Sequence, residues 1–165
     1  MKKFKFKVSY IVGIVIAVML IIVALNSVKI IPTGYTGVRT TFGQISSNVV
    51  QSGLNFKIPF IQSINLVNNK QQDVTFDGTI SSETSERNEV FFSGITVTYQ
   101  INAEKSSWIY ANVSNYKNNL VSESLVASAL KTSSKTLTPT DVTSRNILEP
   151  LVKENIQNSL NEKYG

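Results

Sequence analysis

Two runs carry the architecture of this chain: Ile31-Pro32-Thr33-Gly34-Tyr35-Thr36-Gly37-Val38-Arg39-Thr40-Thr41-Phe42-Gly43 and Gly53-Leu54-Asn55-Phe56-Lys57-Ile58-Pro59-Phe60-Ile61. Pro32-Thr33-Gly34 signals a turn. Tyr35–Phe42 is rich in β-formers and alternates around Val38 and Thr40, so a strand is expected until Gly43 closes it. Gln44–Gln51 is polar with Val49 and Val50, and Ser52-Gly53 makes a second turn. Leu54–Ile61 alternates at Leu54, Phe56 and Ile58. Pro59 has no N–H to give to a ladder, so it marks an edge or the strand's end. Ile64, Leu66 and Val67 begin a further strand, and Asp73–Phe76 continue the sheet.

Upstream of these runs the chain is apolar. Val8–Leu25 carries no charge, and at about 1.5 Å per residue it makes about 27 Å of helix, near the ~30 Å of a bilayer's hydrocarbon core. The anchor is expected over residues 1–28, with Tyr10, Ile11, Ile14, Ile16, Leu20, Ile21 and Leu25 among its lipid-facing residues. A cleaved signal peptide is the rival reading, but the apolar run is too long and Ala24-Leu25-Asn26 is a poor cleavage site. Lys2, Lys3, Lys5 and Lys7 precede the span, so the positive-inside rule keeps the N-terminus in the cytoplasm and sends the rest across. A short Lys-rich start, rather than an Arg-rich amphipathic one, fits a bacterial plasma membrane better than an organelle.

Downstream, Ser81–Asn88 reads as a polar loop. Val90–Ile101 reads as one strong strand, with Ile95, Val97, Tyr99 and Ile101 on one face. After Asn102 the character changes: Ala103–Ala111 suits a short helix, and Lys117–Lys131 an amphipathic one. Thr138-Pro139 and Thr140-Asp141 are helix start signals. An apolar stripe from Ile147 to Leu160 follows, and Gly165 sits where a C′ glycine would. Pro150 either starts the regular part of this last helix or kinks it. The chain therefore reads as α+β: an anchor, a β-rich part over about 29–89, then a strand and helices over about 90–165.

Composition excludes several chemistries. The 165 residues contain no Cys and no His, which removes thiol nucleophiles, Ser-His-Asp catalysis and most zinc sites. The net charge of +5 resides in residues 1–30, while residues 31–165 hold eleven basic against eleven acidic residues. A nucleic-acid-binding domain would carry its own basic face, so no nucleic-acid partner is expected. Gly34-Tyr35-Thr36-Gly37 leads into a β-type run, not a helix, so these glycines read as positive-φ turn residues and not as a phosphate cradle. Glu83, Glu86 and Glu89, with Asp73 and Asp77, lack a calcium-loop pattern and read as a solvated loop. Trp108 reads as packing its helix onto the sheet. No catalytic residue, cofactor or metal is assigned.

The two opening runs, in order behind an apolar segment, resemble the stomatin/prohibitin/flotillin/HflK-HflC superfamily, also called Band 7 or SPFH, with wording closest to prohibitin-like proteins. Val97-Thr98-Tyr99-Gln100-Ile101, Trp108-Ile109-Tyr110, Arg145 and Lys163-Tyr164-Gly165 extend the likeness over almost all of residues 28–165. Asn55 stands where many members have His, and Ser52 where Pro is usual. The family's further strand and coiled coil find no counterpart in these residues. The resemblance implies a non-catalytic membrane scaffold, a homo-oligomer or a hetero-oligomer with related subunits, forming rings that organise membrane microdomains. Its alternative is a regulatory subunit of an FtsH-type membrane AAA protease; a membrane-anchored enzyme is a more distant reading. It also favours dipping Phe56, Lys57, Pro59, Phe60 and Ile61 into the bilayer surface, where aromatics beside a lysine suit the interface.

Overall fold

A computed structural model describes residues 8–164, which divide into two compact units. The first runs to Lys70 and takes in Ile101–Ala111. The second comprises Gln71–Gln100 and the chain from Asn112 onward. The lysines ahead of the apolar run, and Gly165, lie outside the described residues.

The first unit begins with helix α1 (Val8–Asn26). Its last carbonyls are met from within: Asn26 Nδ2 donates to Ile22 O at 2.8 Å and Ser27 Oγ to Val23 O at 2.7 Å. Nineteen residues at about 1.5 Å each measure about 28 Å, just under the ~30 Å hydrocarbon core. Among the described residues no helix is long and apolar enough to cross a membrane, so the expected span is not established by the structure.

Five strands follow: β1 (Val28–Ile31), β2 (Tyr35–Thr41), β3 (Gln44–Val50), β4 (Gly53–Phe56) and β5 (Gln62–Asn68). β1 and β4 pair as an antiparallel ribbon, and β3, β2 and β5 form a three-stranded antiparallel sheet in that order. Ile31, Val38, Ile64 and Val67 are buried. The two residues joining β2 to β3, Phe42 and Gly43, both have positive φ, the geometry that matches a hairpin's twist. Leu54–Ile61 is not one strand: β4 stops at Phe56, and Ile58–Gln62 forms a closed turn. Asn69 fastens the returning segment to the sheet, its Nδ2 donating to Ile101 O at 3.0 Å and Ser106 Oγ at 2.9 Å. A 3₁₀ turn (Ala103–Lys105) and helix α2 (Ser106–Asn112) stand where one short helix is expected. Ser106, Ser107 and Ile109 form the buried side of α2; Trp108, expected to pack inward, is 44% exposed.

The second unit is built on β6 (Gln72–Phe76), β7 (Ile80–Glu83), β8 (Glu89–Phe92) and β9 (Ile95–Tyr99). β6 pairs with β9 and β7 with β8, and the frame slips by one residue between Phe76↔Ile95 and Ile80↔Phe92. These are two halves of one hairpin, bent where Asp77–Thr79 face Ser93 and Gly94, as a β-bulge does. The strand expected over Val90–Ile101 is broken there, at Gly94 with φ +63°. Of the expected loop Ser81–Asn88, the first three residues belong to β7 and the rest is the hairpin's turn, its tip held by Ser85 N and Oγ, both donating to Leu137 O at 2.9 Å. Val74, Phe76, Phe92, Ile95, Val97 and Tyr99 pack on a core of Ile80, Val121, Val126, Ala129, Leu130 and Ile156.

The helical part of the unit is α3 (Tyr116–Asn119), α4 (Glu123–Ser134), α5 (Pro139–Thr143) and α6 (Arg145–Tyr164), of which α4 and α6, with Val121 just ahead of α4, supply that core together with the hairpin. The helix expected over Lys117–Lys131 is split because Ser122 caps α4, its side chain accepting from Leu125 N. Thr138 caps α5 in the same way, through Asp141 N. Pro150 lies inside α6, which runs on through it.

Candidate membrane-facing surface

The β1–β4 ribbon places its apolar residues on one face. Val28 stands opposite Phe56 and Ile30 opposite Leu54, and cross-strand partners point the same way. All four are exposed. A soluble β-ribbon keeps its apolar face covered; this one presents it. The face is continuous in the chain with α1, whose residues from Tyr10 to Leu25 are exposed throughout. Lys57 N donates to Ser27 O at 2.8 Å, tying the end of β4 to the end of α1.

Beyond β4 the chain makes a tight turn. Gln62 N donates to Ile58 O at 2.8 Å, and Ile58 N donates to Gln62 Oε1 at 3.0 Å. Pro59 is buried within this turn, so of the five expected contact residues it is the one withdrawn from the surface. Its neighbour Phe60 is driven outward at φ +65° and is 89% exposed. Phe56 and Ile58 are exposed, Lys57 half-buried, and Ile61 at the margin of exposure.

Beside this turn lies Phe42, which sequence reasoning passed over as the end of a strand. It has φ +49° and is 81% exposed. Thr41 pairs with Gln62, and Phe42 N donates to Ile61 O at 3.0 Å, so both phenylalanines project from one end of the three-stranded sheet. A bulky residue with positive φ is a strained, uncommon choice. Two of them, adjacent and nearly bare, form a pair of aromatic prongs. The signal was the Phe-Gly dipeptide between two strands: a two-residue hairpin loop puts its first side chain at the tip.

The surroundings are basic. Arg39 reaches behind the ribbon, its Nη2 donating to Phe56 O at 3.2 Å, and its buried Nε has no hydrogen-bond partner. Lys29 lies on the ribbon opposite Asn55, and Lys57 follows Phe56 directly.

The other candidates come together differently. Gly34 is a turn residue with φ +82°, but Gly37 lies within β2 and is not a turn residue; a Cβ there would meet Ile31 Cδ1 at 2.6 Å and Ile64 Cγ2 at 2.7 Å. Its smallness lets side chains close over the sheet. Glu83 and Glu89 are cross-strand partners at the hairpin's end, and among the described residues no three acidic groups gather as a metal site would need.

The family model described as SPFH domain / Band 7 family matches residues 29–164. No curated protein matches the chain.

Proposed function

The chain belongs to the SPFH domain / Band 7 family, and from that premise we propose that it is a non-catalytic scaffold held on a membrane by α1 and the face beside it. Members of the family are generally membrane-associated scaffolds without catalysis, and a chain without Cys or His accords with that. The observation that carries the reading is the set of exposed apolar side chains on successive elements: α1 from Tyr10 to Leu25, Val28, Ile30, Leu54 and Phe56 on the ribbon, and the two prongs. Large apolar side chains left bare in such number mark a membrane or protein partner.

In this reading α1 spans the bilayer. Its nineteen residues are completed at the far end by Val28 and by Lys29, whose stem can lie along lipid while its ammonium reaches the headgroups. The lysines at positions 2, 3, 5 and 7 keep the N-terminus in the cytoplasm, and both units then lie outside it. The prongs rest in the interfacial layer on the same side. Copies associate laterally into an oligomer.

Two measurements test this. The full chain should stay with membranes through an alkaline carbonate wash; release into the wash would rule out the span. The mass of the detergent-extracted assembly should be that of a large homogeneous oligomer. A monomer would leave the family assignment standing and remove the scaffold.

A further inference from the structure

The membrane-facing end of the first unit is unusual in charge as well as in apolar surface. Residues 1–70 contain not one Asp or Glu, and within residues 28–70 stand Lys29, Arg39, Lys57 and Lys70. The unit's single acid, Glu104 on the returning segment, has Lys105 as its chain neighbour. Lys70 lies at the far end of the sheet, over the ring of Tyr35 at 5.4 Å. The other three cations are gathered around Phe56: Arg39 bonds its carbonyl, Lys57 follows it and lies three residues ahead of Phe60, and Lys29 is next to Val28, its partner in register. Arg39 is hydrogen-bonded to Phe56 O, Lys57 N to Ser27 O, and Lys29 pairs in register with Asn55. The contacts of Lys57 and Lys29 are main-chain pairings that leave their ammonium groups uncommitted, and among the described residues none of the three cations forms an ion pair with a carboxylate.

Such a surface has two separable attractions. Phe42 and Phe60 offer apolar area on rigid, left-handed turns, which any bilayer would accept. The three cations favour only a surface of negative charge, and they act within a Debye length of it. We infer that this face recognises anionic phospholipid, with the aromatic prongs entering the interface and Lys29, Arg39 and Lys57 lying among the headgroup phosphates. The inference rests on the membrane reading above and adds the class of lipid. The prongs set the depth, since neither backbone can relax without opening the turn bonds Phe42 N to Ile61 O and Gln62 N to Ile58 O. The cations set the preference, each contributing about a fivefold gain on an anionic surface.

The absence of cysteine makes a clean probe possible. Gln44→Cys, on the exposed strand start beside the Phe42-Gly43 turn, takes a single nitrobenzoxadiazole fluorophore on the full chain. The labelled protein is reconstituted into nanodiscs of phosphatidylcholine and into nanodiscs with a third of the lipid replaced by phosphatidylglycerol. The expected result is a blue-shifted label, shielded from iodide, in the anionic discs at low salt, with much weaker shielding in the neutral discs. Salt at about 0.5 M should cut the difference. Lys57→Gln should lower the ratio of inserted to free label about fivefold, and Lys57→Arg should restore it. Equal shielding in both discs, insensitive to salt, would overturn the anionic preference and leave the membrane reading intact. A label open to iodide in both discs would overturn both.

Discussion

Gly37 shows how one absent side chain shapes the first unit. It sits in the middle of β2, and Ile31, Ile64 and Val50 close over the space a Cβ would fill. The obstructing atoms are side-chain methyl and methine groups, so Gly37→Ala should fold with shifted neighbours. Overpacking of this kind costs about 1–3 kcal/mol, seen as a lower urea midpoint of the detergent-solubilised protein. Tyr99 makes a second residue-scale case. Partial burial on the inner face of β9 disfavours the phenolate and raises the hydroxyl's pKa above its usual value. In the unfolded chain the same group ionises at about pH 10. The stability tied to this raised pKa is therefore present below about pH 10 and is lost as pH climbs through the folded value, because the unfolded state sheds its proton first. Melts between about pH 9 and pH 11 should show a steeper loss for the parent chain than for Tyr99→Phe; identical slopes would refute the assignment.

Among the elements, the bent hairpin of the second unit depends on a polar pin. Ser82 Oγ and Ser134 Oγ lie 2.6 Å apart, both buried, joining β7 to the end of α4. Ser133 beside it donates to Ala129 O and accepts from Asn155 Nδ2 at 2.8 Å, linking α4 to α6. Ser134 Oγ also donates to Lys131 O at 3.3 Å, so Ser82→Ala leaves it a partner, whereas Ser134→Ala strands the buried Ser82 hydroxyl, which costs about 1–3 kcal/mol, and removing both can be nearly neutral. Ser134→Ala is therefore expected to lower stability by more than Ser82→Ala with Ser134→Ala does, and a double-mutant cycle of chemical melts measures the coupling. Pro150 is the other element-scale anomaly. Six residues into α6 it lacks an N–H for the carbonyl of Asn146, and its ring crowds that carbonyl. Since the residue is exposed and the helix runs on, Pro150→Ala should raise the melting temperature, by up to about 3 kcal/mol in stability.

At the scale of the whole molecule the charge is divided between the two units. Every acid but Glu104 lies in the second unit, and the first is cationic. Net charge summed along the chain conceals this division, and for that reason the basic excess looks N-terminal when acids and bases of residues 31–165 are counted together. The two units also differ in how they bury apolar surface. The second encloses a core of its own, while the first buries its sheet residues and leaves a ribbon, a helix and two phenylalanines bare. Removing residues 1–27 is expected to leave a folded protein in the soluble fraction, with cooperative thermal melting. Recovery only as unfolded aggregate would show that the units need α1 to fold.

The sequence by itself determined the family, the apolar α1, the strands around Val38 and Val97 and the helix start at Thr138, because each rests on local spacing or on a side chain bonding to its own backbone. It pointed to Phe56–Ile61 as a surface segment, from apolar density beside a lysine. The break of the long strand at Gly94, the recovery of Ser81–Glu83 as strand and the burial of Pro59 were decided by tertiary pairing, which local preference does not encode. The second prong was decided there too. Phe42 becomes part of a site only when β5 pairs with β2 and brings the Phe60 turn to the same end of the sheet. Alternation says which face a side chain takes; long-range register says what stands beside it.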